Sequence, residues 1–146
     1  MNLIDRLELA RRIYLKAAGR VTDEFMAGQF QTIASKKEVF IREISNLFDF
    51  DYEKHSLDLK DKIKVEWEEI GIELNHLILD RNERALMEYC IRREQGILKI
   101  YRDILKGSSI DDLFNTVVRN QMDETTEILD ELTNSLEPSH YRGKNK

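Results

Sequence analysis

Apolar side chains recur at steps of three and four residues along most of the chain, which is the spacing of one face of an α-helix. The first stripe of this kind runs from Leu3 to Ala17, and Gly19 follows it where the helix is expected to end. The second stripe runs from Met26 to Phe48. Glycine is a common residue just beyond the end of a helix. The pattern therefore predicts two long helices joined by a short turn.

Three further stripes show the same spacing. A short one lies within residues 57–79, a long one runs from Leu86 to Ile104, and the last runs from Ile110 to Leu132. The face of the short stripe consists of Leu59, Ile63, Trp67, Ile70 and Leu74. The whole chain is therefore predicted to form five helices.

Polar residues that commonly start helices stand at two of the predicted boundaries. Thr22 or Asp23 can cap the second helix with a side-chain oxygen. Asp80 begins the sequence Asp-Arg-Asn-Glu, which has the capping-box pattern with aspartate in the place of serine or threonine. We therefore expect the second helix to begin after Asp23 and the fourth to begin after Asp80.

The lengths of the connections predict the topology. Short turns join the first two helices and the last two, whereas residues 49–80 lie between these pairs. Short turns make antiparallel neighbours, and one long crossover is the ferritin-like pattern among four-helix bundles. We therefore expect an all-α, ferritin-like four-helix bundle, in which two antiparallel helix hairpins are joined by a long crossover that contains an extra helix. The prediction is a single domain over residues 1–136 and a disordered polar tail over residues 137–146.

Composition narrows the class of protein. The 146 residues include 23 Lys and Arg against 28 Asp and Glu, a net charge of -5, which argues against nucleic-acid binding. The single cysteine, Cys90, excludes an intrachain disulfide and a Cys-rich zinc site. No apolar run approaches the ~20 residues of a membrane span, and the charged first residues lack the apolar centre of a signal peptide. We expect a cytoplasmic protein with no membrane partner.

Two short motifs carry a resemblance to a known family. The first is Tyr-x-x-Ala-Ala at residues 14–18. The second is Glu-x-Cys-x-Arg-Arg-Glu at residues 88–94, followed by Tyr101, with Arg93 standing where the family has glycine. Together with the helix order, over residues 3–135, they resemble a bacterial branch of the ferritin-like superfamily that has no assigned function. The resemblance implies the ferritin-like fold, and it implies no particular activity.

Ferritin-like enzymes hold two iron or manganese ions with a Glu from each of two helices and a Glu-x-x-His from each of the other two. The three histidines, His55, His76 and His140, all lie outside the predicted bundle helices. Glu73 and His76 form a Glu-x-x-His on the crossover helix, where His76 points away from the apolar face. Few Asp or Glu residues lie on the inward faces of the predicted helices. We therefore expect no metal, no other cofactor and no catalytic residue.

Polar side chains interrupt the middle of the apolar stripes. Lys37 lies at the centre of the second stripe and Gln121 at the centre of the fifth, while Glu94 borders the fourth stripe and Tyr14 lies on the first. Residues near the midpoints of similar helices share one level in a bundle, so we expect Lys37, Glu94 and Gln121 to meet in a buried polar layer. Tyr14, slightly off that level, is the fourth member of the layer. Two alternatives are open. Lys37 extends to solvent along its stem while Gln121 bonds a neighbour, or the residues line a metal or small-ligand site.

Three aromatic residues, Phe48, Phe50 and Tyr52, lie within five residues of one another near one end of the predicted bundle. Exposed aromatic clusters often mark contacts between proteins, so these residues are a candidate interface. The alternative is that they fold back and close the end of the bundle.

Together these patterns favour a non-enzymatic ferritin-like bundle without the di-metal centre. Such a protein would act by self-association, as a homodimer, or by binding another protein. The alternative is a divergent di-iron or di-manganese carboxylate protein, either an oxidase or a metal store, with iron or manganese as its cofactor.

Overall fold

The protein is all-helical in a computed structural model that describes residues 3–47, 63–80, 82–107 and 112–136. The five helices are α1 (Leu3–Ala18), α2 (Glu24–Leu47), α3 (Lys64–Leu79), α4 (Glu83–Gly107) and α5 (Asp112–Ser135). Within those four ranges no residue lies in a β-strand. The predicted all-α class is confirmed.

The chain divides into two compact units. The N-terminal unit, residues 1–81, holds α1, α2 and α3, and the C-terminal unit, residues 82–146, holds α4 and α5. The single domain expected over residues 1–136 stays a prediction, and the tail over residues 137–146 lies outside the described residues.

Side-chain caps start α2 and α4. The Asp23 carboxylate accepts a hydrogen bond from the backbone N–H of Met26, at 3.1 Å. The Asn82 side chain accepts one from the backbone N–H of Ala85, at 3.0 Å. The prediction that Asp80 caps α4 is therefore wrong, because Asp80 instead ends α3, where its own N–H donates to the carbonyl of His76.

In the N-terminal unit, α1 packs against α2 and also contacts α3. Contacts with two helices bury α1 on more than one side, so the predicted stripe is only part of its buried surface. Its buried residues are Leu3, Asp5, Leu7, Glu8, Leu9, Ala10, Ile13, Tyr14, Ala17 and Ala18. On α2 the predicted stripe from Met26 to Ile44 is buried throughout.

The third helix is shorter than expected within the described residues. It begins at Lys64, after a bend at Ile63, while residues 57–62 of the expected stretch lie outside the described part. Ile63, Ile70 and Leu74 are buried, as the periodicity predicts, whereas Trp67 is only half-buried.

The C-terminal unit is a helix hairpin in which α4 packs against α5. The Arg84 guanidinium, at the start of α4, donates a hydrogen bond at 3.4 Å to the carbonyl of Leu136, just beyond the end of α5. This contact brings the start of one helix to the end of the other, so the two helices run antiparallel.

Among the described helices, none combines the length and the apolar character that crossing a membrane requires.

Candidate functional site

The four side chains predicted to form a polar layer are all buried. Lys37 and Glu94 each have a relative exposure of 0%, and Tyr14 and Gln121 each have 1%. Tyr14 and Lys37 belong to the N-terminal unit, and Glu94 and Gln121 to the C-terminal unit. That the four form one layer stays a prediction.

Lys37 is the most unusual of these residues, because an ammonium group is costly to remove from water. Its side chain does not extend into solvent. Its Nζ lies 5.6 Å from the centre of the Phe40 ring, close enough for a cation–π attraction. The ring of Tyr14, on α1, packs at 5.7 Å against the ring of Phe30, on α2, with the two planes tilted by 47°. Lys37 and Tyr14 therefore each have an aromatic neighbour.

In the C-terminal unit, Gln121 is held by its neighbours. The Tyr101 hydroxyl donates a hydrogen bond to Gln121 Oε1 at 2.8 Å, and both groups are buried. The Thr125 hydroxyl donates to the backbone carbonyl of Gln121 at 2.7 Å. The periodicity predicts Tyr101 as a core residue and does not predict that its hydroxyl donates to Gln121. The signal in the sequence is the tyrosine itself, because a buried tyrosine hydroxyl usually has a hydrogen-bond partner.

Cys90 and Glu94 lie one helical turn apart on α4, and both are fully buried. Burial raises the pKa of the Cys90 thiol, and the neighbouring Glu94 raises that pKa further, while Arg93 acts in the opposite direction. A thiol that stays protonated is a poor nucleophile and metal ligand. Cys90 therefore serves as a small core side chain.

Two buried carboxylates on α1 were not predicted. Glu8 accepts hydrogen bonds from Nη2 and Nε of Arg11, at 2.6 and 3.0 Å, and another from Nε of Arg12 at 3.1 Å. Asp5, one turn earlier, is also buried. The sequence signal for Glu8 was present, since residues three and four positions apart are neighbours on a helix surface.

Trp67 joins α3 to α1 through two cations. The Arg12 guanidinium carbon lies 5.9 Å from the centre of the Trp67 ring, and Lys16 Nζ lies 5.8 Å from it. Gly71 lies one turn further along α3 and is also close to Lys16, since a Cβ atom at position 71 would lie 3.4 Å from Lys16 Nζ. Because Arg12 also bonds Glu8, a continuous chain of polar contacts runs from Glu8 to the indole.

The described residues do not supply the donor set of a di-metal enzyme. Their buried carboxylates are Asp5, Glu8 and Glu94, and within these ranges no three His, Cys, Asp or Glu side chains are grouped so that they could hold a metal ion. Glu73 and His76 are both exposed, as the periodicity predicts for His76. His55 and His140 lie outside the described residues.

The candidate interface of Phe48, Phe50 and Tyr52 also lies outside the described residues.

Comparison with known proteins found no family model, no curated protein and no solved structure that matches the chain. The resemblance to the ferritin-like superfamily therefore rests on the two motifs and the helix order alone.

Proposed function

We propose that this protein is a ferritin-like four-helix bundle whose own side chains take the place of a di-metal centre. In this proposal it acts without catalysis, by self-association or by binding a partner protein. The observation that carries the proposal is Lys37, an ammonium group that is fully buried in the apolar stripe of α2.

Electrostatics supports this assignment. Two like unit charges 4 Å apart oppose one another by about 4 kcal/mol at an effective dielectric constant of 20, and a divalent ion doubles that repulsion. A cationic side chain held beside the position of a metal ion therefore weakens the binding of that ion. Lys37 instead supplies the positive charge that metal ions supply in an active relative, and Glu8 already has two arginines as its counter-charges.

The proposed bundle gives Lys37 a counter-charge in Glu94. Lys37, Glu94 and Gln121 each lie within three residues of the midpoint of their helices. Helices of similar length that pair along their whole extent bring their midpoints to one level. In the proposal, Glu94 neutralises Lys37 there, and Gln121 completes the hydrogen bonds, since a buried charge needs such pairing.

A divergent di-iron or di-manganese carboxylate protein is the competing function. The observation in its favour is that α1 and α4 bury three carboxylates, on Asp5, Glu8 and Glu94. Carboxylates suit iron and manganese as ligands.

Metal analysis of the purified protein separates the two functions. We expect less than a tenth of an equivalent of iron or manganese after dialysis, and no heat of binding when either ion is titrated into the protein. A Glu94→Gln variant serves as the matched control and is expected to behave in the same way. One or more equivalents that are retained by the native protein and lost in Glu94→Gln would overturn the proposal in favour of the metal protein.

A further inference from the structure

The third helix carries two apolar faces on opposite sides. Ile63, Ile70 and Leu74 are buried, and α3 contacts α1. On the other side Val65, Ile72 and Leu79 have relative exposures of 66%, 64% and 79%. Scattered exposed apolar residues are normal, but three of them in line along one helix face form a stripe.

The spacing of this outer face is that of a helix pair. Val65, Ile72 and Leu79 are seven residues apart, so they occupy the same position in three successive heptads, which is one of the two positions that face the partner in a pair of helices. The exposed residues are also arranged symmetrically about Ile72. Three and four positions before it stand Glu69 and Glu68, and three and four positions after it stand Asn75 and His76, all of them exposed.

We propose that the outer face of α3 pairs with the same face of a second copy of the chain, antiparallel and about a two-fold axis at Ile72. This inference rests on the proposed function, because it names the surface and the partner of the proposed self-association. In an isologous pair of this kind, Val65 of one copy faces Leu79 of the other, and Ile72 faces itself.

Charge decides the direction of pairing. A parallel pair would set the Glu68 and Glu69 carboxylates of one copy against the same two carboxylates of the other, and like charges in contact are unfavourable. The antiparallel pair instead sets both carboxylates beside Asn75 and His76, whose side-chain N–H groups can donate hydrogen bonds to them. Antiparallel helices also place the partial positive end of one dipole beside the partial negative end of the other.

The size of the face indicates a weak, reversible dimer. The three apolar side chains lie 14 steps apart from first to last, which is about 21 Å of helix at about 1.5 Å per step. A surface of that length falls at the low end of interface sizes, below about 1,200 Å² of total buried area. We therefore expect a dissociation constant on the order of 10–100 μM.

Sedimentation of the full chain at increasing concentrations tests the dimer. Ile72→Asp removes the central apolar contact from both copies and places two carboxylates together, so we expect the dissociation constant to rise at least about 100-fold, which corresponds to about 2.8 kcal/mol. The matched control is Val39→Asp, at an exposed valine of α2, which should dimerise as the native chain does. A native chain that stays monomeric at millimolar concentration would overturn the inference.

Cysteine variants test the register under mild oxidation. Ile72→Cys alone should form a covalent dimer. Val65→Cys alone and Leu79→Cys alone should not, but a mixture of these two variants should. The native chain is the control, because Cys90 is fully buried. Self-linking of Val65→Cys alone would overturn the antiparallel register.

These outcomes are separate from those of the proposed function. A dimer that forms equally well with Ile72→Asp would overturn the α3 interface and leave self-association standing through another surface. Retained iron or manganese would overturn the proposed function and would leave the sedimentation of the α3 variants unchanged.

Discussion

The two units of the protein bury polar groups in different ways. In the N-terminal unit the buried polar groups are mainly charged and have charged or aromatic neighbours: Glu8 has two arginines, and Lys37 lies over Phe40. In the C-terminal unit a neutral hydrogen bond joins the buried Tyr101 hydroxyl to the Gln121 amide, and Glu94 is the buried charge. The helices of this protein therefore bury both charged and neutral polar side chains.

The difference matters for how each unit responds to substitution. Removing one partner of a buried charge leaves the other charge uncompensated, which costs about 3–5 kcal/mol. Removing one partner of a neutral buried hydrogen bond costs about 1–3 kcal/mol. We therefore expect the largest effects of polar substitutions at the buried charges, Lys37 and Glu94, and smaller ones at the neutral pair of Tyr101 and Gln121.

The largest effect should come from Lys37→Met. This variant keeps the apolar stem and removes the ammonium group, so in the proposed bundle it leaves the Glu94 carboxylate without its counter-charge. We expect the free energy of unfolding, measured by urea denaturation, to fall by about 3–5 kcal/mol. The double variant Lys37→Met with Glu94→Gln should recover much of that loss.

The control for this cycle is Lys36→Met, at the neighbouring half-exposed lysine. It should change the free energy of unfolding by less than about 0.5 kcal/mol, as surface substitutions commonly do. Strictly additive losses from Lys37→Met and Glu94→Gln would show that the two residues do not interact. That result would remove the polar layer from the proposed function.

The next effect is expected at Trp67, which tests how firmly α3 is attached to α1. A fully buried aromatic side chain costs about 3–5 kcal/mol when cut to alanine, and a half-buried indole with two cation–π neighbours should cost about 2–3 kcal/mol. Urea denaturation of Trp67→Ala measures this. Trp67→Phe keeps a ring beside Arg12 and Lys16 and should lose less than half as much. Equal losses in both variants would contradict a contribution from the ring to the docking of α3.

The helices were predictable from the sequence because each one buries a continuous stripe. Residues such as Phe30 on α2 and Ile128 on α5 recur at helical steps, and both are fully buried. The polar candidates were visible for the same reason, since Lys37 and Gln121 interrupt those stripes. A break in an apolar stripe is a local signal that needs no knowledge of the neighbouring helix.

The features that the sequence did not predict depend on contacts between elements. Asp5 and Glu8 lie off the predicted stripe of α1, and they are buried on a helix that contacts both α2 and α3. The bond between Tyr101 and Gln121 joins residues 20 positions apart on two helices, so it depends on the register of the pair. Periodicity along one helix carries neither piece of information.

A smaller effect is expected at the neutral contact of the C-terminal unit. Tyr101→Phe keeps the ring and removes the hydroxyl, so the buried Gln121 oxygen loses that donor. We expect a loss of about 2 kcal/mol in the free energy of unfolding. Adding Gln121→Met should restore part of this loss, because replacing both partners with apolar groups leaves no polar atom stranded. A further loss of about 2 kcal/mol in the double variant would contradict this account.

The smallest effect concerns the pH dependence that Cys90 adds. Burial and Glu94 raise the pKa of the folded thiol above its unfolded value, which is about 8.5. Above that pH the unfolded chain releases the proton while the folded chain retains it. The unfolded state then binds fewer protons, so the free energy of unfolding falls as the pH rises. One pH unit above the unfolded pKa, this contribution should lower the free energy of unfolding by about 1.4 kcal/mol.

The control is Cys90→Ala, which keeps every other titrating group and removes only the thiol. Its unfolding free energy at neutral pH should be lower than that of the native chain, because a buried atom is lost. Between pH 8 and pH 10, however, its stability should decline less steeply, and the difference in slope between the two proteins isolates the thiol from the tyrosines and lysines that titrate in the same range. Parallel curves would mean that the thiol ionises as readily in the folded chain as in the unfolded one. Rapid native-state labelling of Cys90 by a thiol reagent would then be expected, whereas a protonated, buried thiol should be labelled only when the C-terminal unit opens.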